Sequence, residues 1–228
     1  MSFDAIAPWY RTLETIAFGA DLQRARVACL GEISTPRRAL IVGEGNGRFL
    51  SELLRRHPNI AVDCVDASER MLELARRQIE RRLPVDATHV RFLRHDITSW
   101  TPPEASYDLI VTHFFLDCFS EARIADIVNR LSRAATPNAI WLLADFFVSA
   151  QGFARVRAGL WVSAMYRFFQ FTSGIEAREL VDPSPFLRGI GFVLASQHSF
   201  RSGMVKSQLW RNTGILPVRP ADMMSAVL

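Results

Sequence analysis

The sequence predicts the α/β fold class, in which helices cover both faces of a mostly parallel sheet. Two observations support this prediction. Apolar, strand-like runs alternate with amphipathic segments from residue 39 to residue 146, and this alternation is typical of right-handed β-α-β units. Near the C-terminus, the runs 192–200 and 204–210 are separated by a short segment around Gly203, which indicates an antiparallel pair of strands that closes the sheet.

The elements follow one another in a regular order. Apolar residues at helical spacing over 5–30 predict two helices before the first strand. Pro137-Asn138 predicts a turn before the last parallel strand, and an aromatic-rich helix follows at 151–171. The predicted strands of the alternating region are 39–43, 61–65, 89–94, 107–112 and 139–146, and the helices between them are 47–56, 68–82 and 120–134.

Length and composition limit the class of protein. A chain of 228 residues with 49% hydrophobic content can bury a large core as one domain. No uncharged apolar run reaches the length of a membrane span, and the N-terminus lacks the basic start and apolar stretch of a signal peptide. The three cysteines, Cys29, Cys64 and Cys118, are far apart and have no metal-ligand spacing. We therefore expect a cytoplasmic protein with reduced thiols and no metal site.

The net charge of +4 identifies no partner by itself. Lys206 is the only lysine, so nearly all positive charge comes from arginine. Clustered arginines are compatible with an anion-binding face for nucleic acid or acidic lipid. Because acidic residues are interleaved with them, solvated helix faces are the favoured interpretation. We expect no nucleic-acid partner, and peripheral membrane association stays open.

The strongest local pattern is the apolar run 39–42 that ends in the glycine-rich segment 43–47. Glycine allows positive φ and lets the backbone approach a ligand closely. The next apolar run delivers Asp66 to the neighbouring strand end, where a carboxylate can accept hydrogen bonds from both hydroxyls of a ribose. The position three beyond Gly45 holds Arg48, where dinucleotide-binding motifs have glycine, and this disfavours NAD.

The motifs in this order resemble those of class I S-adenosylmethionine-dependent methyltransferases, over roughly residues 35–211. Segment 42–47 is similar to the glycine-rich first motif, and 65–72 to the second, whose acidic residue holds the ribose. His95-Asp96-Ile97 resembles the third motif, which meets the adenine, and 107–112 resembles the fourth. The resemblance implies a Rossmann-like three-layer sandwich with a seven-stranded, mostly parallel sheet and an antiparallel C-terminal strand.

The resemblance also implies a division of the chain and a set of cofactor contacts. Segment 3–10 resembles the lid helix of the quinone and lipid-type small-molecule branch, so we expect an N-terminal helical lid at 1–34, a methyltransferase domain at 35–211 and a tail at 212–228. The expected cofactor is S-adenosylmethionine. Its expected contacts are Tyr10, Gly43, Glu44, Gly45, Gly47, Asp66, Ala67, Met71, Asp96, Ile97 and Thr112.

Three of these positions have other interpretations. The family often has an acidic residue where Ile41 stands, so Glu44 is a candidate partner for the methionine ammonium, or it faces solvent. Asp66 could also cap the following helix, and Asp96 could form a turn.

The mechanism implied by the resemblance is direct displacement at the sulfonium methyl carbon, aided mainly by alignment of the acceptor. His113 is a candidate general base, or a buried imidazole in the pocket wall. Asp117 is a second candidate, or a cap of the helix that begins near Ser120. The expected acceptor pocket is aromatic, although such stripes are usually core: Trp9, Tyr10, Phe114, Phe115, Phe146, Trp161, Tyr166 and Phe169.

Three functions stay open at this level. The favoured one is methyl transfer to a hydrophobic or aromatic small molecule. A nucleic-acid or protein methyltransferase is the alternative, but a base methyltransferase should carry a proline-aromatic tetrapeptide or a catalytic cysteine near the fourth strand. Segment 112–115 provides neither, although Cys118 is close. A cofactor-binding module without catalysis is the third.

Overall fold

The computed structural model describes residues 20–84, 86–147 and 180–213. Within them, seven strands form one sheet in the order β3-β2-β1-β4-β5-β7-β6. The strands are β1 (Arg38–Val42), β2 (Ala61–Asp66), β3 (Val90–Arg94), β4 (Tyr107–His113), β5 (Ala135–Phe146), β6 (Phe192–Phe200) and β7 (Val205–Asn212). The α-helices are α1 (Asp21–Val27), α2 (Arg48–Arg56), α3 (Glu69–Arg82), α4 (Glu121–Ala134) and α5 (Ser184–Gly189).

Only β7 runs antiparallel to the other strands of this sheet. Strands β1 to β5 pair in parallel, β7 pairs antiparallel with β5, and β6 pairs antiparallel with β7 at the edge. This topology confirms the predicted seven-stranded, mostly parallel sheet with its antiparallel C-terminal strand. No α-helix in the described parts of the chain is long and apolar enough to cross a bilayer.

Two apolar cores lie on opposite faces of the sheet and make the fold three-layered. On one face, buried side chains of α2 and α3 pack on alternate residues of β1, β2 and β4. On the other face, α4 and α5 cover the intervening residues, including the fully buried Trp141 and Trp210. Because side chains alternate between faces along a strand, each strand contributes to both cores.

The structure differs from the predicted elements at two places. Strand β5 begins at Ala135, so the predicted turn at Pro137-Asn138 lies within its range, where Asn138 has a φ of 81° and the pairing with β4 shifts register. The short helix α5 was not predicted; Pro183 is its N-cap residue and Pro185 lies in its first turn, where proline is tolerated. The first predicted N-terminal helix and the helix at 151–171 lie outside the described residues.

A buried carboxylate in β2 is hydrogen-bonded to residues of three other strands on the α4 face of the sheet. Asp63 in β2 is 1% exposed and accepts hydrogen bonds from Arg38 Nη2 at 3.0 Å and from the Tyr107 hydroxyl at 2.7 Å. Arg91 adds two more, from Nε at 2.5 Å and from Nη2 at 2.6 Å. Burial alone would raise the pKa of Asp63, but these donors outweigh it and lower the pKa below its usual value.

Candidate functional site

The candidate site lies where the strand order reverses. Strands β2 and β3 lie on one side of β1, while β4 and β5 lie on the other. In open α/β sheets, ligands bind in the crevice at the carboxyl ends of the two strands that flank this reversal. Here those ends are the glycine turn 43–47 after β1 and the segment 114–118 after β4.

The three glycines of the turn all have φ between 71° and 79°, but they differ in their surroundings. A Cβ on Gly43 would overlap the ring of Phe115, and a Cβ on Gly47 would lie 2.9 Å from Ala75 Cα in α3. Packing therefore requires glycine at both positions. Among the described residues, nothing lies within 4 Å of the place that a Gly45 Cβ would occupy, so none of them fills the middle of the turn.

Glu44 turns back over the start of α2. Its Oε1 accepts a hydrogen bond from Leu50 N at 3.0 Å and so satisfies one of the amides that a helix N-terminus leaves open. Burial raises the pKa of Glu44 to about 7, although the Leu50 amide and the nearby charge of Arg26 act in the opposite direction. Near neutral pH, this carboxyl group can therefore gain or lose a proton in response to an added charge.

Asp66 stands at the end of β2, one strand away from the glycine turn. Its Oδ1 accepts a hydrogen bond from Ser68 N at 2.9 Å, and the Ser68 hydroxyl accepts one from Met71 N at 3.1 Å, capping α3. Ala67 lies between these two groups and is half-buried. The cap of α3 is therefore Ser68, and Asp66 supports the turn just before it by accepting from the Ser68 amide.

Asp96 follows β3, the next strand outward. Its Oδ1 accepts hydrogen bonds from Thr98 N at 2.9 Å and from the Thr98 hydroxyl at 2.7 Å, so the turn-forming interpretation is realised. Partial burial by itself would raise the pKa of Asp96, but the hydrogen bonds from Thr98 outweigh it and lower the pKa. Ile97 is buried in the α4-side core. The acidic side chain is exposed and ionised at the same edge of the sheet as Asp66.

His113 is the last residue of β4 and is 7% exposed. Its ring makes an edge contact with Phe49, with centroids 4.6 Å apart, and Nδ1 has no hydrogen-bond partner among the described residues. Burial, followed by the charge of Arg26, lowers the pKa of His113 to about 3. A neutral imidazole with so low a pKa is a weak base, which favours the interpretation of His113 as a buried wall residue.

Arg26 is a residue of this site that the sequence analysis did not single out. It lies on α1, is 7% exposed, and its guanidinium carbon is 4.9 Å from the centroid of the Phe114 ring. Its charge acts on both Glu44 and His113. The sequence pattern that could have identified Arg26 is an arginine on the apolar face of a helix, beside Leu22 and Ala25.

Asp117 and Asp145 form a buried acidic pair at the ends of β4 and β5. Asp145 is 1% exposed; its Oδ1 accepts from Phe115 N at 3.1 Å, and its Oδ2 has no partner among the described residues. Burial and the Asp117 charge raise the pKa of Asp145, and burial raises that of Asp117 to about 6. The Cys118 thiol donates to Asp117 Oδ1 at 3.5 Å. The sequence analysis named Asp117 but not Asp145.

The aromatic residues after β4 pack mainly against the protein. Phe114, with a φ of 53°, and Phe146 have ring centroids 5.3 Å apart in a small cluster under α1. Phe115 contacts Phe119, with ring centroids 5.1 Å apart, and it also covers Gly43. The Thr112 hydroxyl accepts a hydrogen bond from the Trp141 indole at 2.9 Å. The other predicted site residues lie outside the described residues: Trp9, Tyr10, Trp161, Tyr166 and Phe169.

Comparison with known proteins supports the resemblance. Residues 39–138 match the family described as "Methyltransferase domain". The chain is 29% identical over 152 residues to a demethylmenaquinone methyltransferase of Deinococcus radiodurans, covering 66% of this chain and 61% of that protein. It is also 30% identical over 119 residues to a tRNA N(3)-cytidine methyltransferase of Bos taurus, covering 50% of this chain and 30% of that protein. The chain thus spans less than two thirds of these relatives.

Solved structures share the fold. A 1,6-didemethyltoxoflavin-N1-methyltransferase of Burkholderia thailandensis, solved with 1,6-didemethyltoxoflavin and S-adenosylhomocysteine bound, has a TM-score of 0.65 at 16% identity and covers 91% of this chain and 85% of that chain. A mitomycin 7-O-methyltransferase has a TM-score of 0.65 at 17% identity, covering 93% and 61%. At these identities the two structures show the fold alone, and the fold of the described residues is the one that they share with this chain.

Proposed function

We propose that the chain transfers the methyl group of S-adenosylmethionine to a hydrophobic or aromatic small molecule by direct displacement. The observation that supports this most is the glycine turn, which no described residue fills at Gly45 and which is flanked at the same sheet edge by Asp66 and Asp96. The cofactor supplies an electrophilic methyl group on a positively charged sulfur. At the carboxyl edge of the sheet, carboxylates would accept hydrogen bonds from the hydroxyl, amino and ammonium groups of such a molecule.

The chain's own residues divide this binding task. The carboxylate of Asp66 would accept the ribose hydroxyls, and Asp96 with Ile97 would meet the adenine amino group and ring. Gly45 would let the backbone approach the cofactor, and Glu44 would receive the methionine ammonium. Because the pKa of Glu44 is about 7, an adjacent ammonium would draw it into the ionised form.

For a proton on the acceptor, we propose the acidic pair Asp117–Asp145 as the receiving group. The pKa of Asp117, about 6, lies much nearer to neutral pH than the pKa of His113, about 3. A base is most effective when its pKa lies near the working pH. Asp145 would act as a positioning residue, because its like charge and its buried position raise the proton affinity of the pair.

Calorimetric titration with S-adenosylhomocysteine tests the cofactor site without an acceptor. We expect binding to the wild-type protein and no binding of NAD. Asp66→Ala should weaken S-adenosylhomocysteine binding roughly tenfold or more, since about 1.5–3 kcal/mol of charge-assisted hydrogen bonding is lost. The exposed Asp126→Ala on α4 is the matched control and should bind normally. Equal affinity of Asp66→Ala and wild type would refute the assigned role of Asp66.

Transfer of a labelled methyl group tests the acceptor class. The protein, incubated with labelled S-adenosylmethionine and a cell extract, should place the label in the organic-soluble small-molecule fraction. Label in tRNA would instead support the nucleic-acid alternative, which the similarity to tRNA cytidine methyltransferases keeps open. Cofactor binding without any transfer would support a module without catalysis. We also propose a cytoplasmic location, which three cysteines without a disulfide support.

A further inference from the structure

We propose that Cys29, Glu32 and His198 form a binding site for a divalent transition metal ion, with zinc as the best match. The Cys29 thiol sulfur, one carboxylate oxygen of Glu32 and one ring nitrogen of His198 all lie within 4.8 Å of one another. The cluster lies apart from the glycine turn, beside the antiparallel strands β6 and β7. It is independent of the proposed methyl transfer.

The local structure brings these side chains together from distant parts of the chain. Cys29 and Glu32 lie in the turn that follows α1, and Glu32 N donates to the Cys29 carbonyl oxygen at 3.1 Å. His198 lies in β6 directly opposite Ser207 of β7. Cross-strand neighbours present their side chains on the same face of a sheet, so Ser207 and His198 lie side by side. The Cys29 sulfur is 3.4 Å from Ser207 Oγ, which places the turn on that face.

The three donor types suit zinc. Zinc binds thiolate, imidazole and carboxylate ligands in a tetrahedral arrangement, and three protein ligands leave the fourth position to water. A thiolate and a carboxylate together neutralise the two charges of the ion. Ligand atoms about 2.0–2.3 Å from a zinc ion lie about 3–4 Å from one another. The widest separation in the cluster would therefore have to shorten by about 1 Å, and His198 Nε2 and Glu32 Oε1, which are 2.7 Å apart, would have to separate slightly.

Without metal, the same groups use one another as partners. His198 Nε2 and Glu32 Oε1 are 2.7 Å apart, and the exposed His198 and Glu32 leave the site open to solvent on one side. Cys29 is 1% exposed, and burial raises the pKa of its thiol. Metal binding would therefore replace the Glu32–His198 hydrogen bond and release the Cys29 proton to solvent.

The site would fasten the end of α1 to the edge of the sheet. Arg26 lies three residues before Cys29 and packs against Phe114 in the candidate site. A metal bridge between the 28–32 turn and β6 would limit movement of the helix that carries Arg26. Its first effect would be a gain in stability, because the ion binds the folded arrangement of ligands and not the unfolded chain.

Cobalt(II) titration of the metal-stripped full chain tests the proposal, because cobalt reports its ligands by absorption. We expect one ion per chain, a thiolate-to-cobalt charge-transfer band, and the intense visible absorption bands of tetrahedral cobalt(II). Zinc added in equal amount should remove these bands, and it should raise the Tm of the wild-type protein by several degrees. Cys29→Ser should lose the charge-transfer band, and His198→Asn should weaken cobalt binding at least tenfold.

Matched controls separate this site from adventitious binding. His89→Asn, a surface histidine in the 3₁₀ turn Asp86–His89, and Cys118→Ser should bind cobalt as the wild type does. Because His198 is exposed, His198→Asn keeps the test decisive if Cys29→Ser fails to fold. A spectrum without the thiolate band in the wild type, or equal cobalt affinity of the wild type and His198→Asn, would overturn the proposal.

Discussion

Two aspartates in the same sheet, Asp63 and Asp145, are equally buried, and yet their pKa values shift in opposite directions. Both are 1% exposed, and both lie on the face that α4 covers. Asp63 receives four hydrogen bonds, two of them from one arginine, and its pKa is lowered. Asp145 has an oxygen without a partner in the described residues and an acidic neighbour, and its pKa is raised.

The difference teaches how to tell a structural charge from a candidate functional one. A buried carboxylate surrounded by donors stabilises the fold in its ionised form. A buried carboxylate beside another carboxylate favours the uncharged form and weakens the fold as the pH rises. Asp145 lies at the carboxyl edge of the sheet next to the candidate site, whereas Asp63 lies in the interior of β2. Destabilising charge of this kind is characteristic of sites that handle protons.

The largest effect is expected from Asp63→Asn. The substitution removes the charge that Arg38 and Arg91 share and disturbs the hydrogen bond of the buried Tyr107 hydroxyl. We expect the free energy of unfolding in urea at neutral pH to fall by about 3 kcal/mol. Both arginines are partly exposed and can turn to water, which limits the loss to the lower end of the range for broken buried pairs.

Two variants calibrate the Asp63 result. Tyr107→Phe removes one of the four hydrogen bonds and should cost about 1 kcal/mol. The exposed Asp126→Asn should change the free energy of unfolding by less than about 0.5 kcal/mol. If Asp63→Asn were no more destabilising than Asp126→Asn, the network would contribute nothing and the contrast with Asp145 would disappear.

The sequence could predict the fold and the ends of the strands, because periodicity and glycine patterns are local. It could not predict the environments of these two aspartates. The partners of Asp63 come from β1, β3 and β4 through the strand register, and Asp145 approaches Asp117 only because β5 pairs with β4. The same holds for Cys29 and His198, which are far apart in the chain. Contacts set by long-range register leave no local pattern.

Glu44 tests whether an acid at the site edge responds to a ligand. Its pKa, about 7, implies that it is mostly protonated at pH 6 and mostly ionised at pH 8. If it receives the cofactor ammonium, the affinity for S-adenosylhomocysteine should rise about tenfold across that interval. Glu44→Gln should bind with nearly constant affinity in the same calorimetric series. A wild-type affinity that does not change with pH would remove Glu44 from the cofactor site.

The smallest effect is expected from Asp145→Asn, and its sign is opposite to that of Asp63→Asn. The pKa of Asp145 is higher in the folded protein than in the unfolded chain, so the stability that its proton provides is present at low pH and is lost as the pH rises through the folded value. The amide side chain carries no charge at any of these pH values. We therefore expect Asp145→Asn to raise the Tm at pH 8 by about 2–4 °C, the shift that ~1 kcal/mol produces in a domain of this size.

At pH 5 the gain in Tm from Asp145→Asn should be smaller, and Asp126→Asn should have the same Tm as the wild type at both pH values. A loss of stability that grows with pH would mean that the Asp145 carboxylate is held by donors as Asp63 is, and the distinction between the two sites would then be wrong.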